Sequence, residues 1–235
     1  MRTLIIIPAY NEQDNIERVV DHLTENYPQY DYVIINDGSK DRTSQICHEK
    51  HYNVIDLPVN LGLAGGFQTG MKYAYQNGYD CAVQFDADGQ HRPEYIKPMM
   101  EKIAEGNDIV IASRLVTEKK PATARMLGSR LISAAIWMTT GAKLTDPTSG
   151  MRMYNRRLIE VLALNINFGP EPDTISYLLK MGAKVDEIQA KMDERIAGES
   201  YLNLVNSVKY MARMLISIVL IQNFRNKKKV DFKGA

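Results

Sequence analysis

The chain has 235 residues, with 29 Lys and Arg against 28 Asp and Glu and an apolar content of 45%. One α/β domain with a C-terminal extension is the economical reading of that length, and the net charge of +1 argues against a general nucleic-acid binder, which carries a broad basic face. Cys47 and Cys81 lack zinc or C-x-x-C spacing and read as small buried residues, while no run reaches the roughly 18 apolar residues needed to span a bilayer.

Leu4 to Ile7, an apolar run ended by Pro8, reads as a strand covered on both faces. Ile16, Val19, Val20 and Leu23 then recur at helical spacing within 12–27. Tyr32 to Ile35 forms a second buried strand, followed by the polar turn Asn36-Asp37-Gly38-Ser39 and a helix from about Asp41. The rhythm repeats as strand 53–57, helix 64–76, strand 81–85, helix 93–105 with Pro93 in its first turn, and strand 109–112. Such alternation predicts a doubly wound, mostly parallel sheet flanked by helices. Past residue 114 the rhythm changes: helix 122–140, loop 146–150, strand 151–154, helices 155–164 and 173–181, and strand 185–188. An amphipathic helix over 202–224 precedes Arg225 and Lys227 to Lys229.

The turn after the first strand, Pro8-Ala9-Tyr10-Asn11-Glu12, contains no glycine. A dinucleotide fingerprint needs glycines there to let backbone approach a pyrophosphate. No P-loop is present either, and a pyrophosphorylase would require a glycine-rich first turn. The strand ends offer carboxylates instead: Glu12, Asp37, Asp86 and Asp88. Ligands of such sheets bind at the carboxyl ends of the strands, and acids gathered there repel one another unless a cation joins them. Asp86, Asp88 and Gln90 supply side-chain oxygens at alternate positions, a donor set suited to Mg²⁺ or Mn²⁺ shared with substrate phosphates.

Six ordered segments now make the sequence recognisable: Pro8 to Glu12, Asn36 to Ser39 with Asp41, Asn60-x-Gly62, Asp86-x-Asp88-x-Gln90-His91, Ser113-Arg114, and Asp146-x-x-Ser149-Gly150-x-Arg152. Together they resemble the inverting family-2 glycosyltransferases of the A-type, Rossmann-like fold, most closely the dolichyl- and polyprenyl-phosphate sugar synthase branch, over residues 1–200. The resemblance implies a nucleotide-sugar half in 1–114, an acceptor half in 115–200, and an amphipathic helix with a basic tail in 201–235. It assigns the nucleotide sugar to Pro8, Ala9, Tyr10, Glu12, Asp37, Asp86, Ala87, Asp88 and Arg114. By the same resemblance, Pro8, Tyr10, Glu12 and Asp37 would hold base and ribose, while Asp86 and Asp88, with Gln90, would bind the metal and the donor diphosphate. Arg195 and Ser200 fall in a segment resembling the branch's R-x-x-G-x-S motif. Two positions depart from the pattern: Asn36 replaces a usual first aspartate, and Tyr201 a usual lysine.

An ordinary hydroxyl acceptor requires a general base, for which Asp146 and Asp173 are the candidates. A lipid phosphate, with a second pKa near ~6, is largely deprotonated already and needs cations, for which Arg125, Arg130, Arg152 and Arg195 are available. The expected donor is UDP-glucose or a similar nucleotide sugar, with GDP-mannose open, and the acceptor a polyprenyl phosphate or a glycan in cell-surface glycan synthesis. A soluble acceptor and a non-catalytic assembly subunit are the alternatives. The expected setting is cytoplasmic, with the C-terminal helix meeting the membrane's inner face or a second copy of the chain.

Overall fold

The computed structural model describes residues 1–117, 124–165, 168–193 and 204–224, without the side chains of residues 124, 125, 204–206 and 223. Its strands are β1 (Thr3–Ala9), β2 (Asp31–Asn36), β3 (Val54–Asp56), β4 (Cys81–Gln84), β5 (Ile109–Ser113), β6 (Arg152–Asn155) and β7 (Val185–Gln189). They form one seven-stranded sheet in the order β3-β2-β1-β4-β6-β5-β7. All pairings are parallel except those of β6, which is antiparallel to both β4 and β5. Every strand read from the sequence is present. The period-2 rule explains the two-sided core: Leu4 and Ile6 face one layer, Ile5 and Ile7 the other.

The helices are α1 (Ile16–Asn26), α2 (Thr43–Glu49), α3 (Gly62–Gln76), α4 (Ile96–Ala104), α5 (Ala124–Thr140), α6 (Arg156–Leu164), α7 (Pro172–Lys180), α8 (Leu204–Ile216) and α9 (Gln222–Phe224). Residues of α1, α2 and α4 pack on the Ile5 and Ile7 face, whereas α3, α5, α6, α7 and α8 cover the other. A 3₁₀ turn at Pro93–Tyr95 leads into α4, so the helix expected over 93–105 begins tighter than an α-helix. The helix expected over 202–224 is interrupted by a π-helical turn at Ser217–Ile221. Ser217 and Gln222 lie five residues apart, and both reach Asp173: Ser217 Oγ donates to Oδ2 at 2.6 Å and Gln222 Nε2 at 3.3 Å. A turn with i→i+5 spacing brings that pair to one side, which an α-turn does less well. Met214 and Ile218 are buried in the core, so this segment belongs to the folded body. Among the described residues, no helix is long and apolar enough to cross a membrane.

Candidate active site

The turns after β1 and β2 are knitted into one surface. Asn11 N–H donates to Ser39 Oγ at 2.9 Å, Glu12 N–H to Thr43 Oγ1 at 2.9 Å, and Gln13 N–H to Asp41 Oδ2 at 3.1 Å. Asp37 N–H donates to the Ala9 carbonyl at 2.8 Å, and Asp37 Oδ1 accepts from Leu61 N–H at 2.7 Å. Gly38 has φ of +65°, and a Cβ there would lie 2.8 Å from Asn60 N and Val59 C. Only glycine fits both conformation and space. The polar turn 36–39 and Asn60-x-Gly62 are therefore one packed unit. Pro8 and Glu12 are half-buried, Ala9 is buried and Tyr10 is exposed beside them.

Asn36 is buried and its Nδ2 donates to Asp56 Oδ1 at 2.6 Å. Asp56 also accepts from Ser44 Oγ at 2.8 Å and pairs with His48 Nε2 at 2.6 Å. Burial raises the Asp56 carboxyl, but hydrogen bonds from Asn36, His48 and Ser44 outweigh it and hold the group below its ordinary range. An aspartate at 36 would set two carboxylates against each other. The amide removes that repulsion, which accounts physically for the departure at this position.

Asp37→Ala is expected to weaken binding of nucleoside monophosphate and of the intact donor by a similar factor, about tenfold, as for loss of a hydrogen bond to a charged group. Asp37→Asn can still accept from Leu61 N–H and should recover the part due to loop holding. Unchanged monophosphate affinity in calorimetry would place Asp37 outside the nucleoside site.

The loop after β4 is ordered by its neighbours. Asp86 N–H donates to His91 Nδ1 at 2.9 Å, and His91 Nε2 lies 3.6 Å from Asp86 Oδ2. Because Nδ1 accepts, the neutral ring carries its proton on Nε2, facing the carboxylate. The buried ring also stands edge-on to Phe85, with centroids 5.5 Å apart. His91 thus orients Asp86. Asp88 is 4% exposed and its Oδ1 accepts from Gln90 N–H at 3.0 Å, the side-chain-to-backbone bond that aspartate makes in turns. Gln90 Nε2 donates to the Asp193 carbonyl at 3.3 Å, and Asp193 N–H to the Gln90 carbonyl at 2.9 Å. A hydrogen bond from Arg92 holds the Asp193 carboxyl below its ordinary range. The chain leading into 194–203 is therefore fastened to this loop; Arg195 and Ser200 lie outside the described residues.

The 146–150 loop abuts the same place. A Cβ on Gly150 would lie 2.8 Å from Asp86 Oδ2 and 3.3 Å from the His91 ring, so a larger residue would push against the carboxylate. Asp146 is fully buried, with Oδ2 paired to Arg114 Nε at 2.8 Å and Oδ1 accepting from Thr148 Oγ1 at 2.8 Å. Glu187 on β7 accepts from Thr145 N–H at 2.6 Å and Asp146 N–H at 2.9 Å. Arg152 is 1% exposed and donates to the Ser149 and Pro147 carbonyls, each at 2.8 Å. Its guanidinium holds the loop from below. Asp173 accepts from Thr174 N–H, Ser217 and Gln222, and adjacent Glu171 pairs with Arg213. Arg130 is exposed on α5, some distance in sequence from these turns, and the Arg125 side chain lies outside the described set.

The structure therefore gathers Glu12, Asp37, Asp86, Asp88, Gln90, Arg114 and Asp146 around the carboxyl ends of neighbouring strands and turns Arg152 and Asp173 toward structural partners. Glu187, His91 and Asp193 act on the site without having been singled out for a role. His91 stood inside a motif; a polar residue on a strand such as Glu187 gives no sequence signal beyond an ordinary solvent-facing position. Asp86 and Asp88 are a fitting pair for a hard cation, two carboxylates on one loop. Among the described residues no three His, Cys, Asp or Glu side chains are grouped to hold a metal ion.

A mixed sheet of this order, with acidic strand ends in place of a glycine-rich phosphate loop, is the A-type glycosyltransferase architecture. The chain belongs to Glycosyl transferase family 2, which matches residues 4–162, and is accordingly a glycosyltransferase. It is 29% identical over 215 residues to the undecaprenyl-phosphate mannosyltransferase of Micrococcus luteus, covering 86% of this chain and 88% of that protein. It is 34% identical over 181 residues to the UDP-N-acetylglucosamine–dolichyl-phosphate N-acetylglucosaminyltransferase of Methanococcus voltae, covering 68% and 71% of the two chains. These relatives belong to the branch that the motifs resemble. In fold it is similar to glucosyl-3-phosphoglycerate synthase from Mycobacterium tuberculosis, crystallised with Mn²⁺, UDP and phosphoglyceric acid, at a TM-score of 0.66 and 18% identity, covering 94% of this chain and 78% of that one.

Proposed function

We propose that this enzyme transfers a sugar, with inversion, from a nucleoside diphosphate sugar to a polyprenyl phosphate. The carrying observation is the state of the two acids that a hydroxyl acceptor would call on. Asp146 is buried against Arg114 and Thr148, and Asp173 accepts from Thr174 N–H, Ser217 and Gln222. Neither is placed as a ready base. An acceptor phosphate brings its own anionic oxygen, so positioning and charge suffice. The names of the relatives from Micrococcus luteus and Methanococcus voltae, both acting on polyprenyl or dolichyl phosphates, support the same acceptor class.

In this reading Pro8, Tyr10, Glu12 and Asp37 hold base and ribose. Mg²⁺ or Mn²⁺ held by Asp86 and Asp88, with Gln90 contributing its amide oxygen, would neutralise charge growing on the leaving diphosphate. His91 keeps the Asp86 carboxylate aimed, and Arg114, anchored by Asp146, keeps a guanidinium at the same strand ends. Arg125, Arg130, Arg195 and Ser200 are the residues proposed to meet the acceptor phosphate, and Arg152 supports them by fixing the 146–150 loop. The reaction would take place on the cytoplasmic face of the membrane, serving cell-surface glycan synthesis, with the C-terminal helix and basic tail in contact with it.

The test is incubation of the purified chain with labelled UDP-glucose or GDP-mannose, undecaprenyl phosphate in detergent, and Mn²⁺ or Mg²⁺. Label should enter an organic-soluble, mild-acid-labile product with the anomeric configuration opposite to the donor's, and EDTA should stop its formation. Label passing only to a soluble glycan would replace the lipid acceptor by a soluble one.

A further inference from the structure

Gln84 ends β4 and is the polar residue of an otherwise apolar strand, yet it is only 2% exposed. Side chains alternate along a strand, so Gln84 shares the layer of Ala82, and its partner on β1, Ile6, lies in that layer too. The β4–β6 register pairs Ala82 with Tyr154 and Val83 with Met153; continued by one residue, it sets Gln84 opposite the buried Arg152. The amide is only half satisfied. Its Nε2 donates to Asp86 Oδ1 at 3.1 Å, while its Oε1 has no hydrogen-bond partner among the described residues. A buried polar group with an unmade bond costs stability that a leucine or methionine at the same place would not. Its position two residues before Asp86 supplies the reason for it.

We infer that Gln84 is a positioning residue of the cation site, holding the Asp86 carboxylate from inside the sheet before cation and diphosphate arrive. Residues two apart in an extended chain point to the same side, which lets a strand residue reach the carboxylate of the following loop. Asp86 is then gripped at both oxygens: Oδ1 accepts from Gln84, and Oδ2 faces His91 Nε2 at 3.6 Å. A carboxylate has about four lone-pair sites, and the Asp86 side chain is 37% exposed, so acceptor capacity is left on the open side. Charge dictates which way the amide lies. Turned over, Gln84 would set its oxygen against a carboxylate oxygen and its NH₂ toward the arginine position on β6. Other side chains of similar length cannot substitute: methionine offers no donor, and glutamate would bring like charge to Asp86. Groups that hydrogen-bond a metal's ligands fix the orientation of those ligands and thereby the affinity of the site. The inference rests on the proposal that Asp86 and Asp88 hold the cation, and adds a buried residue outside the D-x-D-x-Q segment.

Gln84→Met keeps a side chain of similar size and removes the donor. Mn²⁺ titrated into the full chain with UDP or GDP, followed by its electron paramagnetic resonance signal, should bind about ten- to hundredfold more weakly than in the parent. The melting temperature should hold or rise, because a half-satisfied amide has left the core. Metal-free affinity for the nucleoside monophosphate should not change. Turnover at saturating Mn²⁺ should return to near the parent's, so that the loss sits in the metal requirement and not in kcat. Gln84→Asn keeps an amide but falls one methylene short of Asp86. It should weaken Mn²⁺ binding to a similar degree, and it carries the test if the methionine variant does not fold. A lower melting temperature with unchanged Mn²⁺ affinity would make Gln84 a structural residue and overturn the inference, leaving the cation reading intact. Equal losses of monophosphate and Mn²⁺ affinity would overturn it too, as general damage to the strand ends. If the parent itself binds neither Mn²⁺ nor Mg²⁺ with the nucleoside diphosphate, the cation reading and the inference fall together.

Discussion

Asp88→Asn should lower sugar transfer by about a hundredfold to a thousandfold, the scale set by removing one preorganised electrostatic contact from a transition state. The substitution is chosen for what it preserves. Asp88 Oδ1 accepts from Gln90 N–H at 3.0 Å, and an asparagine oxygen can make the same bond, so the loop keeps its turn and Gln90 its place. On the proposed metal assignment, what disappears is one negative charge facing the cation and diphosphate. The melting temperature should therefore stay near that of the parent, and affinity for a nucleoside monophosphate should change little. Mn²⁺-dependent affinity for the nucleoside diphosphate should fall together with turnover. Near-normal turnover of the folded variant at ordinary Mg²⁺ or Mn²⁺ concentrations would remove Asp88 from the metal site and leave Asp86 to carry it alone.

The strands were legible because buried parallel strands leave short uninterrupted apolar runs rich in β-branched residues, such as Leu4 to Ile7 and Ile109 to Ala112. The short segment at Arg152–Asn155 was legible as a strand but not as the antiparallel member between β4 and β5. Pairing direction depends on the path of α5 and the loop before it, and no local pattern encodes that path. The acids at strand ends could be found from spacing, since a carboxylate after a buried strand is constrained by topology. The direction in which a long side chain turns could not. Arg152 reads in sequence like any other cation suited to phosphate, yet it points inward because the 146–150 loop leaves the Pro147 and Ser149 carbonyls for it to satisfy. Asp173 likewise reads as a helix-start acid; what it binds is decided by Ser217 and Gln222, more than forty residues away. Trp137 and Met138 fit helical periodicity equally well whether they face the core or the outside.

Asp146→Ala is expected to destabilise the fold by about 3 kcal/mol, toward the lower end for breaking a buried ion pair because its partner keeps some contact with water. Asp146 is fully buried, while the Arg114 side chain is 34% exposed. At roughly 2–4 °C per kcal/mol for a chain of this size, the melting temperature should drop by about 10 °C. Activity should fall as well, since Arg114 loses the carboxylate that fixes it beside the strand ends and Thr148 loses its acceptor. The base reading makes a different claim: a loss of about 10² to 10⁴ in rate, confined to Asp146 and accompanied by removal of an acid limb from the pH profile. A double-mutant cycle separates the two. If Asp146 works by anchoring Arg114, then Arg114→Ala should reproduce most of the loss in rate, and the double variant should be little worse than either single one, with a stability coupling of at least about 1 kcal/mol. The acid limb should then survive in all three, because it belongs to the acceptor phosphate near ~6. Additive losses, with the limb missing whenever Asp146 is absent, would make Asp146 the base after all and return a hydroxyl acceptor to first place.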